Sequence, residues 1–110
     1  MDAIAATSAF AALSQPTRLD VFRLLITAGE DGMQAGAIAD ALGVRQNTMS
    51  TNLSVLLQAG LLRNEREGRS IRYFANFDGL KDLLSFLMED CCGGRTELCQ
   101  PIINELACAC

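Results

Sequence analysis

The sequence predicts a mainly α-helical fold of the α+β class that contains one β-hairpin. Three observations predict it: apolar residues recur at helical spacing in successive segments, two strand-forming segments follow one another across a glycine, and Gly43 separates two of the helices. Four helices, a hairpin and a further helix, in that order, describe a winged helix-turn-helix. The chain has 110 residues, half of them hydrophobic, which predicts one domain that a homodimer would stabilise further.

The first three helices are delimited by residues that start or end helices. Residues 2–13 are rich in alanine, which favours a helix, and Pro16 predicts the first turn of a second helix, Pro16–Ala28. A short third helix is predicted over Ala35–Leu42. Gly43 follows at the position of a C-cap glycine, so the third and fourth helices are expected to meet in a tight turn.

The fourth helix, within 43–62, has two contrasting faces. The apolar residues of one face recur at helical spacing, at Met49, Leu53, Leu56 and Leu57. The leading turns otherwise carry one arginine and then uncharged hydrogen-bonding side chains, namely Arg45, Gln46, Asn47, Thr48, Ser50, Thr51 and Asn52. Donors and acceptors on the first turns of a helix are what the reading of base edges in a DNA major groove requires. A polar solvated face on a core helix is the competing interpretation.

The predicted hairpin is basic. Strands over 61–67 and 70–76 are expected to meet in a turn at Gly68. The net charge is −4, but residues 44–76 carry five arginines and two glutamates, a balance of +3, between acidic flanks. Four of these arginines lie on the hairpin, at Arg63, Arg66, Arg69 and Arg72. Because a local basic patch binds phosphate whatever the total charge, the hairpin favours the DNA interpretation of the fourth helix.

The last helix is predicted over 77–90, and it leaves a tail, 91–110, that holds all five cysteines. We therefore expect a DNA-binding and dimerisation domain over 1–90 followed by a cysteine-rich tail. The chain has no histidine, which removes most general-base and nucleophile arrangements, so no enzymatic activity is predicted. Neither a membrane span nor a secretory signal is recognisable, so we expect a cytoplasmic protein with reduced thiols and no membrane partner.

Three stretches together resemble the ArsR/SmtB family of metal- and metalloid-responsive repressors. They are LSQPTRLDVFRLL (13–25), IADALGVRQNTMSTNLSVLLQAGLL (38–62) and REGRSIRYFAN (66–76). The resemblance implies a homodimeric winged-helix repressor whose outer helices, 2–13 and 77–90, form the dimer interface. It also implies that the repressor leaves its double-stranded operator DNA when an inducer binds.

The chain departs from the family pattern in its recognition helix and in its sensor. Family members often carry Ser-x-His-Leu in that helix, and Asn52 stands here in place of the histidine. The region 33–43 lacks the cysteine cluster of the founding arsenic sensors, and the last helix lacks the His and Asp pairs of zinc and nickel sensors. Other arsenic repressors of the family carry their thiols just after the last helix, and Cys91, Cys92 and Cys99 resemble that arrangement.

The resemblance therefore predicts As(III) or Sb(III) as the inducer, with no organic cofactor. Trivalent arsenic and antimony favour three thiolates in a pyramid, and a soft ligand set without nitrogen or oxygen suits them. Glycines at 93–94 would let the chain fold back so that Cys99 joins the adjacent pair Cys91 and Cys92. Methylated arsenic, which needs only two thiolates, is an alternative inducer.

Other uses of the cysteines stay open. Cys108 and Cys110 are candidates for additional ligands or for replacing one of the three. Four thiolates would suit zinc, although no Cys-x-x-Cys spacing is present, and Cu(I) is another soft ion. A redox switch that joins Cys92 to Cys99 or Cys108 would also regulate a repressor. A thiol oxidoreductase or arsenic carrier is the alternative from a different class, and it leaves the polar helix and the basic hairpin unexplained.

The expected mechanism couples the tail to the DNA. The apo dimer binds an imperfect palindrome, with the six polar residues from Gln46 to Asn52 near base edges. Arg45 and three hairpin residues, Arg66, Arg69 and Arg72, contact phosphate or the minor groove, unless they are merely solvated. Inducer at the end of the last helix changes the spacing of the two recognition helices, with a coupling of about 1–3 kcal/mol.

Overall fold

The structure, a computed structural model, describes residues 1–89 and 96–108. The helices are α1 (Ala3–Leu13), α2 (Pro16–Ala28), α3 (Ala35–Leu42), α4 (Gln46–Gln58), α5 (Phe77–Leu87) and α6 (Thr96–Cys108). The strands are β1 (Met33–Gln34), β2 (Leu62–Glu67) and β3 (Ser70–Ala75). They form an antiparallel sheet in the order β1-β3-β2. The predicted winged helix-turn-helix is confirmed, with the β2–β3 hairpin as its wing and α4 as its recognition helix.

The bounds of the predicted elements agree closely with the structure. The second and third helices begin and end where the sequence predicts. The last predicted helix is shorter, because α5 ends at Leu87 and Met88 is its C-cap. Within the described residues no helix is long and apolar enough to span a membrane.

Three elements were not predicted, and one of them is a single 3-10 turn over Gly29–Asp31, which follows α2. β1 consists of two residues, too few to show an alternating pattern, and it pairs Met33 with Tyr73 of β3. The third element, α6, lies inside the segment predicted as a tail. Its leucines and isoleucines do recur at helical spacing, but Pro101 lies within the helix, where its ring removes a backbone hydrogen bond and so argues against a helix.

Gly43 makes the turn between α3 and α4. It adopts the left-handed conformation, with φ of 65°, and donates its N–H to backbone carbonyls of the last turn of α3. The N–H of Val44 then donates to the carbonyl of Ala39 at 3.0 Å. The chain therefore leaves α3 and enters α4 within a few residues, as the helix-turn-helix prediction requires.

The core fixes which side of α4 faces outward. Three α4 residues of the predicted apolar face, Met49, Leu53 and Leu56, have no exposed surface. They pack with α2 and with α1, whose buried face consists of three alanines and so lets the helices approach closely. Because one face of α4 is buried along its length, the polar residues of its leading turns lie at the surface.

Candidate nucleic-acid interface

The leading turns of the recognition helix present a row of polar side chains to solvent. The chain enters α4 in an extended conformation at Arg45, the N-cap residue, whose side chain makes no capping hydrogen bond. The Oδ1 atom of Asn47 accepts the N–H of Thr48 at 2.9 Å, so this side chain satisfies one of the free backbone donors at the helix start. Six of the seven predicted residues are exposed, namely Arg45, Gln46, Asn47, Thr48, Ser50 and Thr51.

Asn52 is the exception, and its predicted place near base edges is wrong. Its side chain is only 6% exposed, and its Oδ1 accepts a hydrogen bond from Nη1 of Arg18 at 3.4 Å. Position 52 follows Met49 by three residues and precedes Leu56 by four, which places it on the buried face of α4. The spacing could have shown this, but the polar residue type outweighed it in the prediction.

The tip of the wing carries two exposed arginines. Nε of Arg66 donates to the carbonyl of Gly68 at 3.2 Å, which holds this side chain along the turn. Arg69 lies at the other side of the turn, at the edge of a cleft between the wing, α3 and α4. The cleft is lined by Gln34, Ala35, Gly36, Ser50, Arg69, Ser70, Ile71 and Tyr73. Ser50 of α4 and Arg69 of the wing tip thus border one cleft.

Arg72 is held by protein atoms, and its predicted contact with phosphate or the minor groove stays a prediction. Its Nε lies 3.0 Å from Oε1 of Glu67, and its Nη1 donates to the carbonyls of Asp31 at 3.1 Å and Gly32 at 3.4 Å. The register of the sheet brings Arg72 to this position, since Arg72 stands opposite Gln34, the second residue of the short strand β1. The guanidinium ties the wing to the turn before β1.

Arg63 also faces protein atoms. Its Cζ lies 4.1 Å from the centroid of the Phe74 ring, and Nη1 lies 3.1 Å from Oε1 of Glu65. Stacking on an aromatic face and pairing with a carboxylate are modest interactions at an exposed site, but they hold the side chain along the hairpin. The tip residues Arg66 and Arg69 are therefore the wing cations best placed to contact DNA.

The comparisons with known proteins agree with this architecture. A family model described as a helix-turn-helix domain matches residues 13–65. The transcriptional repressor SdpR of Bacillus subtilis is 34% identical over 79 residues, which are 72% of this chain and 84% of SdpR. An ArsR-like transcriptional regulator from Rhodococcus sp. RHA1 has a similar structure, with a TM-score of 0.71 and 28% identity over 94% of this chain and 93% of that one. The chain belongs to the ArsR/SmtB family of winged-helix transcriptional regulators.

Two further solved structures resemble the chain. A homodimeric winged helix-turn-helix domain from Mycobacterium bovis, a possible ArsR-family regulator, is 28% identical with a TM-score of 0.63, over 78% of this chain and 80% of that one. A possible transcriptional regulator for arsenical resistance is also 28% identical, with a TM-score of 0.61, over 70% of this chain and 77% of that one.

Sequence reasoning missed part of this ArsR/SmtB interface. The side chains at the floor of the cleft, Gln34 and Ile71, were not predicted to lie near α4, because the cleft depends on the unpredicted strand β1. Gly36 leaves room for the side chain of Gln46 beside the cleft, since a Cβ at position 36 would lie 3.1 Å from Nε2 of Gln46. The alternation of β3 gave the only signal in the sequence, as it places Ile71 and Tyr73 on one face of the strand.

The predicted metalloid ligands lie mostly outside the described residues. Cys91, Cys92 and Cys110 fall in segments that the structure does not describe, and Cys99 and Cys108 are placed only as members of α6. Within 1–89 and 96–108 no cluster of three or more potential metal-ligating side chains is found. The metalloid site of this ArsR/SmtB regulator therefore stays a prediction.

Proposed function

We propose that this protein is a homodimeric repressor that binds operator DNA in its apo form and is released by trivalent arsenic or antimony. One observation carries the DNA part of the proposal: the exposed polar face of α4, through Ser50, and the wing tip, through Arg69, border the same cleft. The opposite face of α4 is buried, so the polar residues are held at the surface in a fixed orientation.

The recognition helix supplies base contacts in this proposal. It has 13 residues, a length of about 20 Å, which allows its first turns to enter a major groove while its last turn stays in the core. Gln46, Thr48, Ser50 and Thr51 offer amide and hydroxyl groups to base edges. Arg45 and the wing-tip arginines supply charge for phosphate oxygens or for the adjacent minor groove.

Exposed apolar side chains on the outer helices support a homodimer. Ile4 of α1 is 82% exposed, and Leu84 and Leu87 of α5 are 39% and 55% exposed. α1 and α5 contact each other in the structure, so these side chains extend from neighbouring helices. The related domain from Mycobacterium bovis is homodimeric. A second copy that covers this face would place two recognition helices about one turn of DNA apart, the spacing that paired half-sites require.

The chemistry of the tail supports a metalloid inducer. Its five cysteines offer soft sulfur ligands, and three of them would satisfy trivalent arsenic. In the exchange, each of three thiols gives its proton to one hydroxide of As(OH)₃, so that three As–S bonds replace three As–O bonds and three waters leave. No oxidation or reduction is needed. Cys91 follows the end of α5 at Leu87 by four residues, so the proposed site adjoins a helix of the dimer face.

Fluorescence anisotropy with the DNA upstream of the protein's own gene tests the proposal. The purified dimer is titrated onto labelled DNA without effector and then with arsenite, antimonite, zinc or hydrogen peroxide. We expect arsenite and antimonite, at amounts equal to the protein, to weaken binding about tenfold or more. Unchanged binding with both would rule out the metalloid part. A response to zinc or peroxide alone would indicate a regulator of another metal or of redox state.

A further inference from the structure

The exit of the recognition helix is bonded directly to the start of α5. After α4, Gly60 turns the chain with φ of 79°, and Leu61 donates its N–H to the carbonyl of Leu56 at 3.1 Å. The carbonyl of Gly60 then accepts a hydrogen bond from Nδ2 of Asn76 at 2.9 Å. The backbone N–H of Asn76 donates to the carbonyl of Leu61, also at 2.9 Å. Two hydrogen bonds therefore join segments that lie 16 residues apart.

Asn76 uses both ends of its side-chain amide. Its Nδ2 holds the carbonyl of Gly60, while its Oδ1 accepts the N–H of Gly79 at 3.2 Å and so caps α5. One side chain thus specifies where α5 begins and where α4 ends. A serine at this position would keep the cap, but its hydroxyl is too short to reach Gly60 as well.

Gly79 allows the two segments to approach this closely. A Cβ at this position would overlap the carbonyl oxygen and carbon of Gly60. The contact is with backbone, which cannot rotate away as a long side chain can, so any larger residue must push α5 away from the exit of α4. Among the helix-interior glycines, Gly36 of α3 would meet only the flexible side chain of Gln46.

We infer that Asn76 and Gly79, with the carbonyl of Gly60, form a rigid joint that fixes the angle between the recognition helix and α5. Through that angle the joint sets the half-site spacing that the dimer reads. The inference rests on the proposed function, since it requires a dimer that holds α5 against its partner. Asn76 and Gly79 are positioning residues in this role, because neither lies on the surface that faces DNA.

The dimensions of α4 make the joint effective. The residues that would read bases lie at the far end of a helix about 20 Å long, so a tilt of about 10° at the joint moves them by about 3 Å. That displacement is close to the rise of one base pair, and the two copies of a dimer would double it. A small loss of rigidity at Asn76 is therefore enough to let the distance between the two recognition helices vary by about one base-pair step.

The test measures spacing discrimination by the full-length apo protein. The operator is located by footprinting on the upstream DNA, and three duplexes are made, with the native centre-to-centre spacing and with one base pair added or removed. For the wild type we expect the dissociation constant to rise about tenfold or more on the altered duplexes. For Asn76→Ser we expect the ratio of the dissociation constants on the altered and native duplexes to fall to about threefold or less. The protein should stay folded and dimeric because the cap is kept.

Two further variants make the result specific. Gly79→Ala displaces α5 by crowding the carbonyl of Gly60, and its Cβ also lies 3.0 Å from Nδ2 of Asn76. It should reduce the ratio of dissociation constants or move the preference to one of the altered spacings. Gln15→Ala is the control, because it removes the cap of α2, where Oε1 of Gln15 accepts the N–H of Arg18 at 2.8 Å, and leaves the joint intact. It should lose a comparable amount of stability and keep the wild-type ratio.

Each outcome decides between the inference and the proposed function. If the wild type binds all three duplexes equally, paired reading of half-sites fails, and the inference fails with it. If the wild type discriminates between the spacings and both Asn76→Ser and Gly79→Ala discriminate equally well, the inference about the joint is overturned and the proposed function stands. If Gln15→Ala also loses the discrimination between spacings, the loss is due to general destabilisation. That result would also overturn the inference about the joint.

Discussion

Nη1 of Arg18 lies 3.4 Å from Oδ1 of Asn52, and this contact joins α2 to the recognition helix inside the fold. The same guanidinium donates from Nε to the carbonyl of Ala12, near the end of α1, at 2.7 Å. One side chain therefore holds three helices, and Asn52 is the acceptor that α4 contributes. A polar residue at this position serves to place the recognition helix rather than to read DNA.

Asn52→Ala should therefore destabilise the protein without changing its base preference. Removing the amide leaves Nη1 of the partly buried Arg18 without its acceptor on α4, which costs about 1–3 kcal/mol in the free energy of unfolding. Urea denaturation measures this loss. Binding to the operator and to operators with single base changes should keep the same rank order in the variant.

Thr51→Ala is the matched control for Asn52→Ala. Thr51 is the neighbouring residue, but it is exposed, and its hydroxyl donates only to the carbonyl of Asn47 one turn earlier, at 3.3 Å. We expect its stability to stay within about 0.5 kcal/mol of the wild type and its affinity for the operator to fall. The opposite pattern, with base preference altered by Asn52→Ala and stability unchanged, would return Asn52 to the DNA surface.

The sequence predicted the elements of this fold better than the contacts between them. Apolar spacing in α4, Pro16 and Gly43 are local signals, and they located helices and the turn within a residue or two. The role of Asn52 depends on Arg18, which lies 34 residues earlier. No local pattern encodes that pair, so the residue type suggested a DNA contact that the packing rules out.

The arginines of the hairpin show the same limit. Their number and charge predicted a basic wing correctly, but the direction of each side chain depends on what lies across the strand. Arg72 faces the turn at Asp31 because β3 pairs with β1, and β1 is too short to be recognised in the sequence. Charge counting alone therefore does not show which wing cations are held by protein atoms.

Arg69→Ala should weaken DNA binding regardless of sequence. Arg69 borders the cleft between the wing and α4, and a phosphate contact there would release about one counterion on binding. We expect the dissociation constant to rise on operator and unrelated DNA alike. The slope of the logarithm of affinity against the logarithm of salt concentration should fall by about one. Anisotropy titrations over a range of salt concentrations measure both.

Arg63→Ala is the control for Arg69→Ala, since it removes the same charge from the same hairpin. Its guanidinium stacks on Phe74 and pairs with Glu65, away from the wing tip. The salt dependence should stay close to that of the wild type. An equal fall of the slope in both variants would mean that only the overall charge of the wing matters, and an unchanged slope in Arg69→Ala would exclude its phosphate contact.

Arg72→Ala should loosen the wing. The substitution removes the pairing with Glu67 and the hydrogen bonds to the carbonyls of Asp31 and Gly32. Because the pair is partly exposed and screened by water, we expect a loss of only about 1 kcal/mol in the free energy of unfolding. Amide hydrogen exchange should become faster in β1 and β3 and stay unchanged in α2.

Arg72→Lys should not restore the slow amide hydrogen exchange of β1 and β3. A lysine keeps the positive charge, but its single ammonium cannot reproduce the fork that bonds Glu67 and two carbonyls together. If the lysine variant exchanges like the wild type, charge alone holds the wing. If instead Arg72→Ala lowers the salt slope of DNA binding as much as Arg69→Ala does, Arg72 contacts phosphate as the sequence predicts.

Replacing any of the three proposed arsenic ligands should separate DNA binding from the response to inducer. Cys91→Ser, Cys92→Ser and Cys99→Ser each exchange a soft sulfur for a hard oxygen, which trivalent arsenic binds poorly in a thiolate site. In the sequence none of these positions belongs to α4 or to the wing, so the apo variants should bind the operator like the wild type. Anisotropy with stoichiometric arsenite should then show no release.

Cys110→Ser is the control for the other three cysteine variants. Three thiolates complete the coordination of trivalent arsenic, so a fourth thiol at the chain end is not required and this variant should still be released. A retained response in Cys91→Ser, Cys92→Ser or Cys99→Ser would remove that residue from the site. If Cys110→Ser loses the response and one of the other three variants keeps it, the site still has three thiolate ligands, but Cys110 is one of them. The inducer would then bind Cys110 in place of one of the cysteines at 91, 92 and 99.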